Sequence, residues 1–299
     1  MKKTFLILMT KLLFLLIFCI SLLSCGKNET YNPEQKIKRI YEGSYDGTKK
    51  LKQEWTWGND RLVKIDFYGF YNEDIFLRNT EYYTYEDNEL VKVKDNEGYF
   101  KISYKNKKYE RIEYHRERVD SALATWDFTY QNNKISSVIV KYDDIKDFYV
   151  SNMEKGGFLS SLIPVSILKN LAKNDFLPSP VVFTYTYKYN GSNIKEIKFT
   201  TSEYEDFYSI HSYDSYDKML NPFYKHIGLD NSILLPYIDM VTSKNNSLKI
   251  IEYVMDIPDR ITEYSYQYNN EMFPIEVVVQ NGYAFGEIES QYKRYYEYE

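Results

Sequence analysis

Apolar residues recur at one spacing along much of the chain. In each copy two aromatic or aliphatic residues stand two positions apart. A third apolar residue follows five positions after the second, and a fourth comes three or four positions later. Residues two apart share one face of a strand, so each copy predicts a strand, a turn and a second strand. The six leading pairs are Trp55 and Trp57, Tyr83 and Tyr85, Ile102 and Tyr104, Phe128 and Tyr130, Tyr187 and Tyr189, and Tyr266 and Tyr268.

Turn-forming residues separate the two halves of every copy. Examples are Asn59 and Asp60 in the first copy and Asn132 and Asn133 in the fourth. Asn, Asp and Gly tolerate the positive φ angles of tight hairpins, so each copy is typical of a β-hairpin. The chain is therefore predicted to be mainly all-β. We expect an antiparallel meander of repeated hairpins that forms a large curved sheet or an open barrel.

The second apolar pair of each copy leaves one question open. Leu62 and Ile65 of the first copy stand three positions apart. On a regular strand that spacing puts them on opposite faces. Either both faces of the second strand are covered, or a β-bulge lies between the two residues.

Two segments interrupt the repeats and predict short helical inserts. The first lies near 151–180, where Leu159, Leu162, Ile163 and Ile167 approximate helical spacing and Pro164 limits the helix. The second lies near 221–246 and carries an apolar run around Leu234. Both inserts either cover the sheet or line a pocket. Covering is favoured, because a sheet needs a second layer to bury a core.

The N-terminal segment has the layout of an export signal. Lys2 and Lys3 precede an apolar run from Leu12 to Leu23, which is typical of a signal peptide. A membrane-spanning helix is the alternative, but it needs about 20 apolar residues, and Lys11 separates this run from the apolar residues before it. The end of the run, Leu22-Leu-Ser-Cys25, resembles the lipobox of bacterial lipoproteins. That resemblance implies a signal peptide over 1–24 and acylation of Cys25. A lipidated linker over 25–35 and one repeat-containing domain over 36–299 would follow.

Charge and cysteine content narrow the partners. The formal net charge is −5, and cleavage of the signal would remove Lys2, Lys3 and Lys11 and leave a more acidic chain. Nucleic acid is therefore not an expected partner, since its phosphates require clustered Lys and Arg. The chain has only Cys19 and Cys25, so no disulfide is expected in the mature protein.

No motif in the sequence points to a reaction. His115, His211 and His226 lack metal-ligand spacing, and no zinc, P-loop or nucleophile-elbow pattern occurs. We therefore predict no catalytic residue, no metal site and no cofactor. The candidate ligand contacts are the three tryptophans: Trp55, Trp57 and Trp126. Core packing is the favoured role for them, because Ile102 and Phe128 fill the same position in other copies.

Three later strings carry a family resemblance. They are Tyr216–Phe223 with its Asn-Pro-Phe end, Ser243–Asn246, and the tyrosine-rich segment 266–274. Together they resemble a group of secreted lipoproteins of Bacteroides-type bacteria, whose domain of unknown function contains hairpins similar to YD repeats. The resemblance implies an all-β envelope protein and supplies no catalytic residues.

The predicted function is an outer-membrane lipoprotein with a non-enzymatic binding or structural role. The membrane is the expected partner through the lipid on Cys25. A hydrophobic ligand or lipid carrier, or envelope chaperone, is one alternative. A glycan-binding or glycan-processing accessory protein is another, and a protein partner is a third. The sequence leaves open which side of the outer membrane the domain occupies, since Glu29 is the only acidic residue close after Cys25.

Overall fold

The structure is a computed structural model that describes residues 31–43, 47–71, 74–117, 119, 121–143, 180–202, 204–226 and 243–299. These residues form one closed, antiparallel β-barrel. Its strands are β1 (Ile37–Gly43), β2 (Lys49–Gly58), β3 (Arg61–Tyr71), β4 (Asp74–Glu86), β5 (Glu89–Lys94), β6 (Gly98–Lys105), β7 (Lys108–Arg116), β8 (Ala124–Gln131), β9 (Lys134–Tyr142), β10 (Val181–Asn190), β11 (Asn193–Thr201), β12 (Tyr204–Leu220), β13 (Asn245–Val254), β14 (Ile257–Tyr268), β15 (Pro274–Tyr283) and β16 (Ile288–Tyr298).

The order of the strands around the barrel follows their order in the chain. Each strand pairs with its neighbours in sequence, and β1 pairs with β16 to close the ring. The predicted all-β meander is confirmed. The predicted curved sheet or open barrel is wrong in one respect, since the barrel is closed. Closure depends on partners such as Ile40 and Tyr296, which lie too far apart in sequence for any local pattern to indicate them.

The predicted helical inserts are not found in the described part of the chain. Residues 222–225 form a turn, and β13 begins at Asn245, so the described parts of the 221–246 insert contain no helix. The side-chain oxygen of Asn221 accepts a hydrogen bond of 3.0 Å from the backbone N–H of Phe223, which favours a turn there. The rest of that insert, and residues 151–179 of the other, lie outside the described residues.

Among the described residues, no helix has the length and apolar character that a bilayer-crossing helix requires.

A β-bulge in every predicted hairpin explains the repeat spacing. In the first copy Trp55 lies opposite Ile65 and Trp57 lies opposite Leu62, with a register shift between the two pairs. The shift inserts one residue on β3, so that Leu62 and Ile65 point to the same face. The same shift occurs between Thr84 and Tyr85 in the second copy. Corresponding shifts occur in the β6–β7, β8–β9, β10–β11 and β14–β15 hairpins. The bulge alternative is thus the right one.

Two-residue turns with positive φ angles join most of these hairpins. Asn59 and Asp60 have φ values of 49° and 62°, and Asn132 and Asn133 have values of 51° and 63°. Such turns match the twist of the flanking strands, which is why they suit two-residue hairpins. Lys107 occupies one of these positions with φ 62°, although lysine has no special tolerance for it.

The inner face of the barrel carries the core. The buried apolar side chains of the strands join in one cluster, which includes Leu62, Val93, Trp126, Phe183 and Val277. Barrels of 16 strands are usually wide enough to leave an aqueous channel. Large aromatic side chains, many of them tyrosines, fill much of this one.

The outer face of the barrel is charged. Cross-strand ion pairs cover it, for example between Arg111 and Asp127 at 2.6 Å and between Lys188 and Glu196 at 2.7 Å. Further pairs on this face join Arg39 and Glu54, Lys249 and Glu263, and Lys293 and Glu276. Lipid-facing barrels carry an apolar outer band instead. The described outer face mixes these ion pairs with exposed apolar side chains such as Ile139 and Tyr82.

Candidate functional site

The two ends of the barrel differ. The hairpin turns at Asn59–Asp60 and Asn132–Asn133 lie at the end where β1 begins and β16 finishes, which we call the plugged end. The connections after β13, at Met255–Asp256, and after β15 lie at the opposite end, which we call the open end. Alternation of strand direction in an antiparallel meander fixes this division.

An aromatic plug closes the lumen at the plugged end. It consists of Tyr31, Pro222, Phe223 and His226, all of which lie outside the strands. The Tyr31 hydroxyl donates a hydrogen bond of 2.7 Å to the Pro222 carbonyl oxygen, and its ring centroid lies 5.0 Å from that of His226. Phe223 contacts Tyr296 on β16 at a centroid distance of 5.8 Å. The plug thus ties together segments from both ends of the chain.

His226 is the polar centre of the plug. Its Nε2 lies 3.3 Å from the hydroxyl of Tyr83, which donates a hydrogen bond of 2.5 Å to the buried carboxylate of Glu81. Its Nδ1 has no hydrogen-bond partner among the described residues. Burial lowers the pKa of His226 from 6.5 to about 3, so the imidazole is neutral at physiological pH. Burial also raises the pKa of Tyr83 well above its ordinary value, and its hydroxyl stays protonated.

The residues that carry the family resemblance hold the plug in place. Asp217 accepts hydrogen bonds from the backbone N–H groups of Met219 at 3.0 Å and Asn246 at 3.1 Å, and from the hydroxyl of Tyr268. The Asn221 amide donates to the Ser243 carbonyl oxygen at 2.9 Å. This network joins the end of β12 to the start of β13. The Asn-Pro-Phe and Ser-Lys-Asn-Asn strings are therefore a structural device that positions the plug.

At the open end the lumen wall is polar. The side chains of β14 alternate, and Tyr264 packs against the core, so Thr262 and Arg260 on the same face also point inward. Their cross-strand partners on β13 and β15 share that face. We call this set the lumen belt; it comprises His211, Glu252, Arg260, Thr262, Asn281, Tyr283 and Ser290.

The lumen belt is connected by polar contacts. Thr262 donates to the side-chain oxygen of Asn281 at 3.0 Å, and the Asn281 amide donates to Ser290 at 3.0 Å. Nε2 of His211 lies 3.8 Å from the Glu252 carboxylate. Burial opposes ionisation of Glu252, but the hydrogen bond and the charge of His211 outweigh it and lower the pKa of Glu252. The belt thus contains hydrogen-bond donors and acceptors, and both a cationic and an anionic side chain.

The belt is accessible to solvent. The side chain of Arg260 is 46% exposed, and Tyr283 is 40% exposed although it points inward. Ile257, at the rim above Arg260, is 63% exposed. Among the described residues, the lumen is thus open to solvent beside Arg260 and Tyr283. Deeper in the lumen, next to the plug, Phe223, Ser243, Tyr266 and Arg294 surround a cavity of about 30 Å³, which has room for about two waters.

The tryptophans predicted as ligand contacts lie inside the barrel. Trp126 is fully buried between Phe100 and Tyr142. Trp55 is buried against the plug, and its ring centroid lies 4.9 Å from that of His226. The indole N–H of Trp57 donates to the Ile37 carbonyl oxygen at 2.7 Å. These positions favour the core-packing role. Cys25 lies outside the described residues.

The sequence did not indicate the lumen belt. Its members come from five strands between β12 and β16, and each stands alone among ordinary polar residues. One signal was present, since Arg260 and Thr262 occupy the same alternate positions as Tyr264 on a strand that should hide one face. No group of three or more His, Cys, Asp or Glu residues suited to a metal occurs among the described residues.

Solved structures share this architecture. A porin-like protein from Bacteroides vulgatus ATCC 8482 is 10% identical with a TM-score of 0.52, over 89% of this chain and 99% of that one. A porin-like protein from Bacteroides uniformis ATCC 8492 is 12% identical with a TM-score of 0.53, over 90% of this chain and 99% of that one. No protein-family model and no curated protein matches the chain. At these identities the likeness is one of fold: the chain has the barrel architecture of these porin-like proteins.

Proposed function

We propose that this chain is a lipid-anchored binding protein of the outer membrane, whose barrel holds a ligand at its open end. The asymmetry of the lumen carries the proposal: an aromatic plug fills one end, and solvent-exposed polar side chains line the other. The fold of porin-like neighbours supports an envelope location. The lipobox at Leu22–Cys25 supplies the attachment. The role is non-enzymatic.

Solute conduction is the less favoured function of this barrel. Conducting porins of 16 to 18 strands keep an aqueous channel and an apolar outer band. Here Tyr31, Phe223 and His226 pack within the lumen, and the outer face carries pairs such as Arg111 with Asp127. A barrel whose lumen is closed at the plugged end and whose outer face is charged suits ligand capture in water.

A carrier of acyl chains is also less favoured. Pockets for drug-sized ligands usually measure about 300–1,000 Å³ and are mainly apolar. The cavity next to the plug measures about 30 Å³, and the lumen wall nearer the open end carries the polar lumen belt. Among the alternatives, a glycan-binding role fits the described lumen better than lipid carriage does.

Two measurements test the lipid anchor and the accessibility of the lumen. The full chain should incorporate labelled palmitate, and Cys25→Ser should abolish the label and release the protein from membranes. Since the lipidated thiol of Cys25 is unreactive, a single new cysteine can report on the lumen. A polar maleimide should modify Ser290→Cys rapidly, because Ser290 is exposed, and Ser209→Cys slowly, because Ser209 is buried. Equal modification rates of the two variants would contradict a lumen that is accessible at the open end.

A conductance measurement separates binding from transport. The full chain, reconstituted into planar bilayers beside a known porin as positive control, should give no steady channels. Regular single-channel steps that persist in the unlipidated Cys25→Ser protein would replace the binding proposal with a pore.

A further inference from the structure

We infer that the lumen belt binds a neutral, hydroxyl-rich ligand, of which an oligosaccharide is the representative class. This inference rests on the proposed binding role and names the ligand class for that site.

The charges of the belt balance each other. The charged side chains of the belt are Arg260 and Glu252. Arg260 lies 3.7 Å from Glu289, which precedes Ser290 of the belt, and Glu252 lies 3.8 Å from His211, whose imidazole is charged only when protonated. An anionic ligand would meet the two carboxylates, and a cationic one would meet the guanidinium. A charged ligand would therefore be attracted by one member of each ion pair and repelled by the other. A neutral ligand meets no such repulsion.

The hydrogen-bonding groups of the belt match hydroxyl groups. A hydroxyl both donates and accepts, so it is best served by a wall that offers both. Arg260 only donates and Glu252 only accepts, whereas Thr262, Asn281 and Ser290 do both, and they already form a hydrogen-bonded chain across three strands. That chain holds the amide of Asn281 in a fixed orientation.

The rim adds an apolar surface beside these groups. The ring of Tyr283 is inward-facing and 40% exposed, and the Arg260 guanidinium lies 5.7 Å from its centroid. Ile257 lies at the same rim. A pyranose ring has an apolar C–H face and hydroxyl groups around its edge. An exposed tyrosine ring beside the polar side chains of the belt can contact both parts of the sugar, since aromatic side chains pair an apolar face with a polar tip.

A peptide ligand lacks its usual means of attachment here. Extended peptides often bind by adding a strand to a free sheet edge. Every strand of the described barrel has a neighbour on both sides, so no edge is open to such a ligand. Recognition must rely on side chains, which favours a ligand whose polar groups lie on its periphery.

Titration calorimetry on the full chain in detergent micelles tests the inference. The probes are four neutral hexasaccharides: maltohexaose, cellohexaose, xylohexaose and the N-acetylglucosamine hexamer. We expect at least one to bind, and Asn281→Leu and Tyr283→Ala to weaken it by about tenfold or more, the scale of one lost well-placed contact. Gln280→Leu, one residue along the strand on the outer face, and Tyr82→Ala, also on the outer face, should leave affinity unchanged.

Three results would overturn the inference. These are the absence of binding by any hexasaccharide, binding that both lumen variants leave intact, and a preference for the hexamer of galacturonic acid. Circular dichroism melting of each variant shows whether it folds, and Thr262→Val provides a second, milder lumen variant. If sugars fail but lauric acid or a mixed tripeptide protects Ser290→Cys from maleimide, the binding role stands and the ligand class falls. If nothing protects that cysteine, both fail.

Discussion

The hydroxyl of Tyr31 donates a hydrogen bond of 2.7 Å to the carbonyl oxygen of Pro222, which lies 191 residues further along the chain. Tyr31 comes before the first strand and Pro222 follows the twelfth, so the contact joins two segments that the sheet itself does not connect. The plug is therefore a tertiary structure in its own right. Its contribution to stability can be measured at single residues.

Truncation of Tyr31 should destabilise the barrel. Removal of a buried aromatic side chain typically costs about 3–5 kcal/mol, and we expect Tyr31→Ala to fall in that range. Tyr31→Phe keeps the ring and should cost about 1 kcal/mol, the net value of one hydrogen bond. Urea denaturation measures both, with Tyr71→Ala as the control, since Tyr71 is 72% exposed. Equal stability of all three variants would show that the plug contributes nothing to the fold.

Acid should weaken the fold through His226. Burial lowers the pKa of His226 to about 3 in the folded protein, against 6.5 ordinarily. Between these values the unfolded chain binds a proton that the folded chain excludes. The unfolding free energy is therefore highest above pH 6.5 and falls as the pH drops towards 3, by up to about 1.4 kcal/mol per pH unit.

Urea denaturation at about pH 7 and about pH 5 checks this, where one such group changes the free energy by about 2 kcal/mol. Replacement by His226→Phe should flatten the dependence, whereas His211→Gln, at a partly exposed site, should leave it largely intact. A His226→Phe protein with an unchanged pH slope would mean that other groups govern acid stability.

Glycine at position 107 should stabilise the protein. Lys107 has φ 62°, a left-handed conformation that costs a non-glycine residue about 1–2 kcal/mol. Because glycine also gains freedom in the unfolded chain, we expect a net gain of about 0.5–1 kcal/mol for Lys107→Gly. Lys105→Gly, in the adjacent strand, should instead destabilise. Thermal melting of both variants measures the difference, and a shift in the same direction for both would contradict the turn assignment.

Loss of the Asp217 carboxylate should loosen the plug. Asp217 accepts hydrogen bonds from two backbone N–H groups and from Tyr268. Hydrogen bonds to a charged group are each worth about 1.5–3 kcal/mol, so we expect Asp217→Ala to cost several kcal/mol. Asp214→Ala, on an exposed part of the same strand, should cost about 0.5 kcal/mol or less. Hydrogen exchange should also quicken at Phe223 and His226 in the first variant only.

Local spacing predicted the hairpins, because each is complete within a short stretch of chain. The residues that lie opposite each other in the first copy, Trp55 with Ile65 and Trp57 with Leu62, follow directly from the repeat. A seventh hairpin obeys the same rule and was missed: Ile251 and Tyr253 precede Pro258 and Ile261. Its turn consists of Met255 and Asp256, which carry no turn signal of the Asn-Gly kind, and it contains Pro258, a residue type that strand interiors disfavour.

Contacts between residues that are distant in sequence were not indicated by local sequence patterns. Closure through Ile40 and Tyr296, the plug contact of Tyr31 with Pro222, and the side-by-side position of Arg260 and Tyr283 all depend on the finished ring. Burial of Glu81 also runs against composition rules, which place charged residues outside. A single sequence indicates which residues form strands, but the partners of its end strands and the occupants of its lumen need three-dimensional information.

Closure of the barrel also limits how this protein can change in length. Stacked repeats of the open, solenoid kind gain or lose units freely, because each touches only its neighbours. A ring is different: deleting the β8–β9 hairpin would force Arg111 on β7 and Thr184 on β10 to become partners across a smaller circumference. The aromatic rings that fill the centre would then no longer fit. The count of hairpins is accordingly a fixed quantity of this fold, set by the girth that its tyrosines fill.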